Sequence, residues 1–244
     1  MSRTYAKAEM KFKDISAVAD ASLSTNGTQA ISNLDIFKAN DNLEQAAYGT
    51  LEHNQFILDE SKSIIPHNVS DIGFWSSEQS SQDCLFKNNP VIEITFSEFH
   101  TSTGITLYFA DEYATEVLIT WYDLKGTKLT SKVFYPNSLM YVCKHQVKNY
   151  GKIRIEFIRT MTPYRYIKLQ YVLYGQHIIW EKDLIQTAKV YEEIDQTSST
   201  LPINTAEISV IDVDGEFDVG NEDGLWKSIQ KKQEVTLSEY IDGE

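Results

Sequence analysis

Apolar and polar positions alternate over short distances through the middle of the chain. P-V-I-E-I-T-F at residues 90–96 alternates strictly, so that either Val91 or Ile92 opens the inward-facing set. T-G-I-T-L-Y-F (103–109) follows after a turn. E-V-L-I-T-W-Y-D (116–123) and T-S-K-V-F-Y-P (130–136) flank a Lys-Gly turn and predict a hairpin. S-L-M-Y-V-C-K (138–144) comes next. G-K-I-R-I-E-F-I-R-T (151–160) then sets Ile153, Ile155 and Phe157 on one face against Lys152, Arg154 and Glu156 on the other. Y-R-Y-I-K-L-Q-Y-V-L-Y-G (164–175) closes the series, and its Tyr164, Tyr166 and Leu169 read as strand positions alternating between core and edge. Short β-branched or aromatic segments separated by turns are the mark of an antiparallel sandwich or barrel.

The flanks have other textures. Residues 1–44 form an arm or lead-in, with M-K-F-K-D-I-S-A-V-A-D-A-S-L-S making one or two strands before a polar stretch punctuated by Asn-Gly. One helical turn is expected at 43–48 and no longer helix. After the central body at 45–178, residues 179–244 form a C-terminal β segment. Its strands are expected within 177–195, at 203–214 and at 234–241, with a linker at 196–202 and a short helix or loop at 225–233. The last strand runs into Asp-Gly-Glu, a hairpin-type turn with no strand after it, as at the cut edge of a longer protein.

Composition narrows the function classes. The 244 residues carry 14 Tyr, 11 Phe and 4 Trp, an aromatic content suited to strands. The formal charge of −13 argues against nucleic acid, which needs a clustered basic surface, and against an anionic membrane surface. No apolar run has the length of a bilayer span. Cys84 and Cys143 stand alone and read as two reduced thiols.

No catalytic constellation emerges. The chain has no nucleophile elbow and no phosphate-cradling glycine motif. Its five histidines (53, 67, 100, 145 and 177) lack the spacing of a helical metal site. D-V-D-G-E-F-D-V-G-N-E-D (212–223) imitates a calcium loop. Its glycine is at the fourth position and its last residue is Asp, so it reads as a solvated acidic turn. No metal and no cofactor is therefore expected. P-Y-R-Y-I-K (163–168) sets aromatics beside cations, a pairing that stacks sugars or bases but also suits a strand. Phe74 and Trp75, in a turn-rich stretch, pose a similar choice between exposed platform and core plug.

Two resemblances carry these readings further. Leu58-Asp59, Trp75-Ser76-Ser77, the strand P-V-I-E-I-T-F and the closing Tyr174-Gly175 resemble, in order and spacing, the galactose-binding-like, discoidin-like jelly rolls. That likeness implies an all-β antiparallel jelly-roll sandwich with extra N- and C-terminal β segments. It also implies that Trp75 is a plug packed under the rim. The stretch 201–235, with its Phe-Asp turn, Leu-Trp-Lys and Lys-Lys-Gln, resembles the opening of a tail-hub module in structural proteins of bacteriophages and prophages. Asp59–Trp75 together with Asp111–Asp123 is similar to jelly rolls of such proteins. The first expectation is thus a non-enzymatic component of a phage tail or baseplate, oligomeric in the virion after assembly in host cytoplasm, whose terminal strands pair with neighbouring subunits. The alternative is a carbohydrate-binding module for host cell-wall glycan, with Tyr113, Tyr135 and Tyr164 as the candidate sugar-binding residues.

Overall fold

The computed structural model describes residues 4–26, 52, 73–191, 205–222, 224–229 and 233–241. The helical turn expected at 43–48, the Leu58-Asp59 pair and the linker at 196–202 lie outside these residues. The described chain contains β1 (Thr4–Lys13), α1 (Ile15–Asp20), β2 (Ser22–Thr25), β3 (Phe74–Trp75), β4 (Val91–Phe109), β5 (Ala114–Tyr122), β6 (Lys128–Phe134) and β7 (Met140–Thr160). After these come β8 (Lys168–Leu173), β9 (Gly175–Glu181), β10 (Ile185–Tyr191), β11 (Thr205–Val210) and β12 (Val235–Ile241). No helix among the described residues is long and apolar enough to cross a membrane. The fold is all-β: an antiparallel jelly-roll sandwich with further β segments from both ends of the sequence.

Two compact units divide the chain, one made of residues 13–176 and the other of 1–12 with 177–244. The N-terminal stretch is split, because β2 pairs with β4 while β1 pairs with β9 and β12.

In the larger unit two strands organise everything. β4 and β7 are 19 and 21 residues long, where the sequence suggested four separate strands. They pair antiparallel along their length, with register shifts between Thr95 and Gly104. Bulges of this kind bend a ladder without ending it, so the polar run S-E-F-H-T-S-T-G is a bend and not a turn. The first half of β4 and the second half of β7 lie in one layer with β2, β5 and β6. Their other halves lie with β8 and β3. Ile153, Ile155 and Phe157 are fully buried, as their alternation predicts, and share their inward face with Ile94 and Ile92, the register partners of Ile153 and Ile155 on β4. The β5–β6 hairpin also forms as read. Asp123 accepts from the Lys125 and Thr127 amides, and Gly126 takes a φ of 82°, open to glycine without strain.

One helix was not foreseen. Asp14 caps α1 by accepting from the Ser16 and Ala17 amides at 2.9 and 3.1 Å. Ala17 and the capping Ala21 are buried in the sandwich core. Asp14 and Asp20 also hold His100 of β4 between them, at 3.3 Å from Nδ1 and 3.0 Å from Nε2.

The smaller unit joins a three-stranded sheet of order β12-β1-β9 with the β10–β11 ribbon. β1 and β12 pair over seven residues, from Thr4 opposite Ile241 to Met10 opposite Val235. The terminal strands, expected to pair with neighbouring subunits, pair with each other within one chain, with β12 at the sheet edge. Leu225–Ser228 forms a single 3-10 turn. The acidic stretch is a self-bonded turn: Asp212 accepts from the amides of Glu216 and Phe217, and Asp218 accepts from Gly220. That turn sets Phe217 between Phe12 and Trp180, at ring separations of 5.6 and 6.0 Å. These rings, with Met10, Ile208 and Val235, line an apolar cavity of about 400 Å³.

Candidate functional site

The strand register gathers one set of loops. Ala114 pairs with Thr160, Val117 with Phe134, Phe109 with Leu169 and Tyr108 with Met140. The loops at 110–113, 135–139 and 161–167 therefore emerge at the same end of the sandwich, along with the segment after β3. Tyr113, Tyr135 and Tyr164 fall one in each of these loops. They differ in setting. Tyr113 is half-buried and packed on the core, Tyr135 is 65% exposed, and Tyr164 is 39% exposed.

The same end holds a network that sequence reading did not find. Lys168, the first residue of β8, is buried. Its Nζ lies 2.5 Å from Glu52 Oε2 and 2.7 Å from Asp111 Oδ2. Glu52 is fully buried, and its other oxygen accepts from the Tyr166 amide at 2.8 Å. Beside this pair, Arg165 Nε donates to Glu112 Oε1 at 3.1 Å, and Thr162 donates to the same carboxylate. A buried lysine is tolerable only because its charge is met on two sides. Asp111 differs from the others, since 45% of its side chain reaches solvent.

The loop that carries Arg165 is fastened by serines. Ser80 donates its amide to Arg165 O and accepts from the Arg165 amide, while Thr160 donates to Ser80 Oγ at 2.8 Å. Ser76 binds Ile167 in the same two-way manner. These side chains replace a sheet ladder where the backbone has left the extended form: Tyr164 has a φ of 59°. The P-Y-R-Y-I segment is thus a pinned loop and not the strand expected from its alternation.

Trp75 is a correction of a similar kind. Its neighbour Phe74 is the plug, 1% exposed and stacked on Phe157 at 6.0 Å. Successive residues of a strand face opposite ways, so Trp75 points outward and is half-buried. Its ring stacks with Tyr166 at 6.2 Å, and Lys168 Nζ lies 4.9 Å from its centroid. Gly73 sets this register: a Cβ there would lie 2.4 Å from Leu169 O, so only glycine lets β3 approach β8 so closely.

The thiols are both free, with Cys143 buried and Cys84 half-buried. Among the described residues, no group of three or more His, Cys, Asp or Glu is placed to hold a metal ion.

No family model and no curated protein matches the chain. Similar solved structures include the lectin domain of lectinolysin complexed with Lewis B antigen, at 10% identity, covering 66% of this chain and 94% of that one with a TM-score of 0.43. A fucose-binding module of Streptococcus pneumoniae matches at 8% identity, over 62% of this chain and 88% of its own, with a TM-score of 0.40. The family 32 carbohydrate-binding module of C. perfringens NanJ, in complex with galactose, matches at 8% identity over 71% and 99%, with a TM-score of 0.38. At likenesses this distant, neither fold nor ligand follows from the neighbours.

Proposed function

We propose that the sandwich is a carbohydrate-binding module whose ligand seats on the end formed by loops 110–113, 135–139 and 161–167. The observation that carries this reading is the presence at one end of both exposed or half-exposed aromatics and a fixed acid–base network. A sugar ring needs both: an apolar face for its C–H groups and oriented donors and acceptors for its hydroxyls. Tyr135 and Tyr164 supply exposed ring surface. Asp111 supplies a partly exposed carboxylate, and the fastened 161–167 loop holds its geometry before ligand arrives, which lowers the ordering cost of binding. Tyr113 supports its loop from the core side. The role is binding without turnover.

The tail-component reading depended in part on terminal strands left open for neighbouring subunits; β1 is paired on both sides, and β12 is an edge strand paired on one. A place on a virion that contacts a host surface remains compatible with a glycan-binding domain, and rests on the sequence resemblance alone.

The test is a glycan array together with pull-down on bacterial cell-wall fractions, using the full chain and its Tyr135→Ala, Tyr164→Ala and Trp75→Ala variants. Binding that weakens tenfold or more in at least one tyrosine variant, with the fold intact by circular dichroism, is the expected result. Failure to bind any glycan or wall fraction overturns the reading.

A further inference from the structure

Charge at this end decides which sugars it can take. The buried network holds two cations, Lys168 and Arg165, and three carboxylates, Glu52, Asp111 and Glu112. It therefore keeps a surplus of one negative charge. Neither cation is offered to a ligand: the Lys168 side chain is 4% exposed and lies between two carboxylates, and Arg165 is 10% exposed and paired with Glu112. The group that reaches outward is Asp111, with 45% of its side chain in solvent. Among the described residues, the segment after β3 and the neighbouring strand ends add Glu78, Asp83 and Glu116 against Lys87 and Arg159, again with acid in excess.

An anionic sugar brought here would lose hydration and meet net negative charge, because the described carboxylates outnumber the two exposed cations, Lys87 and Arg159. A sugar bearing an ammonium group would meet the Asp111 carboxylate, whose Oδ1 accepts from the Glu112 amide at 3.0 Å and whose Oδ2 accepts from Lys168 Nζ at 2.7 Å, leaving one further lone pair on each oxygen for a charge-assisted hydrogen bond. We propose that this end selects against acidic sugars and favours a glycan carrying a protonated amino group, with Asp111 as the carboxylate that receives it. The inference rests on the carbohydrate-binding reading above and specifies its ligand class.

The experiment titrates the full chain, observed by amide NMR, with two series of monosaccharides. One is glucosamine, glucose and glucuronic acid; the other is galactosamine, galactose and galacturonic acid. Amino sugars are expected to bind most tightly and uronic acids most weakly. The ratio between those extremes is about tenfold at low salt, or about 1.4 kcal/mol. It should shrink towards unity in 0.5 M salt, where charge is screened within about 4 Å. Asp111→Asn should also level the series; Lys168 keeps Glu52 in that variant, and the salt dependence of the unaltered protein is a second measurement should it fold poorly. Uronic acids binding as tightly as amino sugars would overturn the selectivity and leave glycan binding standing. No shift at residues 111–113, 135 or 164–168 with any of the six sugars would overturn both.

Discussion

Replacing Lys168 by methionine tests the network at its centre. Methionine keeps most of the aliphatic stem, so the packing loss is small and the change isolates the charge. Asp111 can rehydrate, being 45% exposed, but Glu52 is fully buried, with the Tyr166 amide donating to its other oxygen. Breaking a buried pair by removing one member costs about 3–5 kcal/mol. For a domain of this size each kcal/mol lowers Tm by roughly 2–4 °C, which gives a drop of about 6–20 °C. Urea and thermal unfolding of Lys168→Met measure the loss. The double variant Glu52→Gln/Lys168→Met removes both charges and should regain most of it, since uncharged replacements for a buried pair are often neutral. A single variant within about 1 kcal/mol of the parent, or a double variant no more stable than the single, would refute the claim that Glu52 depends on Lys168.

Three further outcomes follow from the packing and titration of named groups. Phe74→Ala should cost about 3–5 kcal/mol in urea unfolding, while Trp75→Ala costs clearly less, because Phe74 fills the core and Trp75 is half-buried; equal losses would contradict their facing. Hydrogen bonds from Ser97, then His100, hold the Asp20 carboxyl well below the usual carboxylate range. A carboxyl so depressed stabilises the fold above its unfolded pKa, near about 4, and that stability is lost as pH falls; urea midpoints between about pH 5 and 2 should therefore fall less steeply in Asp20→Asn than in the parent. Burial pushes the Cys143 thiol far up, so iodoacetamide at pH 8 should label Cys84 in the native protein and both cysteines only after denaturation, as read by mass spectrometry.

The parts of this fold that could be read from sequence are those set by neighbouring residues. The alternation of Ile153, Ile155 and Phe157 gave the correct inward face, and the Lys-Gly turn gave the β5–β6 hairpin. The continuity of β4 and β7 was hidden because the bulged segment is written in Ser, Thr, His and Gly, the residues that also write turns. α1 was hidden because its six residues depend on the Asp14 cap and on burial of Ala17 against the sandwich. A two-residue strand has no period, so nothing local told Phe74 from Trp75 as the buried one. The site was partly visible: P-Y-R-Y-I-K drew notice for its aromatics and cations, but the left-handed Tyr164 that makes it a loop carries no sequence mark. Glu52 and Lys168 are 116 residues apart, and only the folded sheets bring them together. A lysine set between Ile167 and Leu169 was the one available hint that a charge is enclosed there.

β4 and β7 each run through both layers of the sandwich as unbroken strands. Neither layer can therefore melt while the other survives, because its central pair is covalently continuous with the centre of its opposite number. Amide exchange from Ile92 to Phe109 and from Met140 to Phe157 should occur by one global opening event. A backbone cut at the 97–103 bend would yield two half-sheets, each lacking the strand that gives the other its interior.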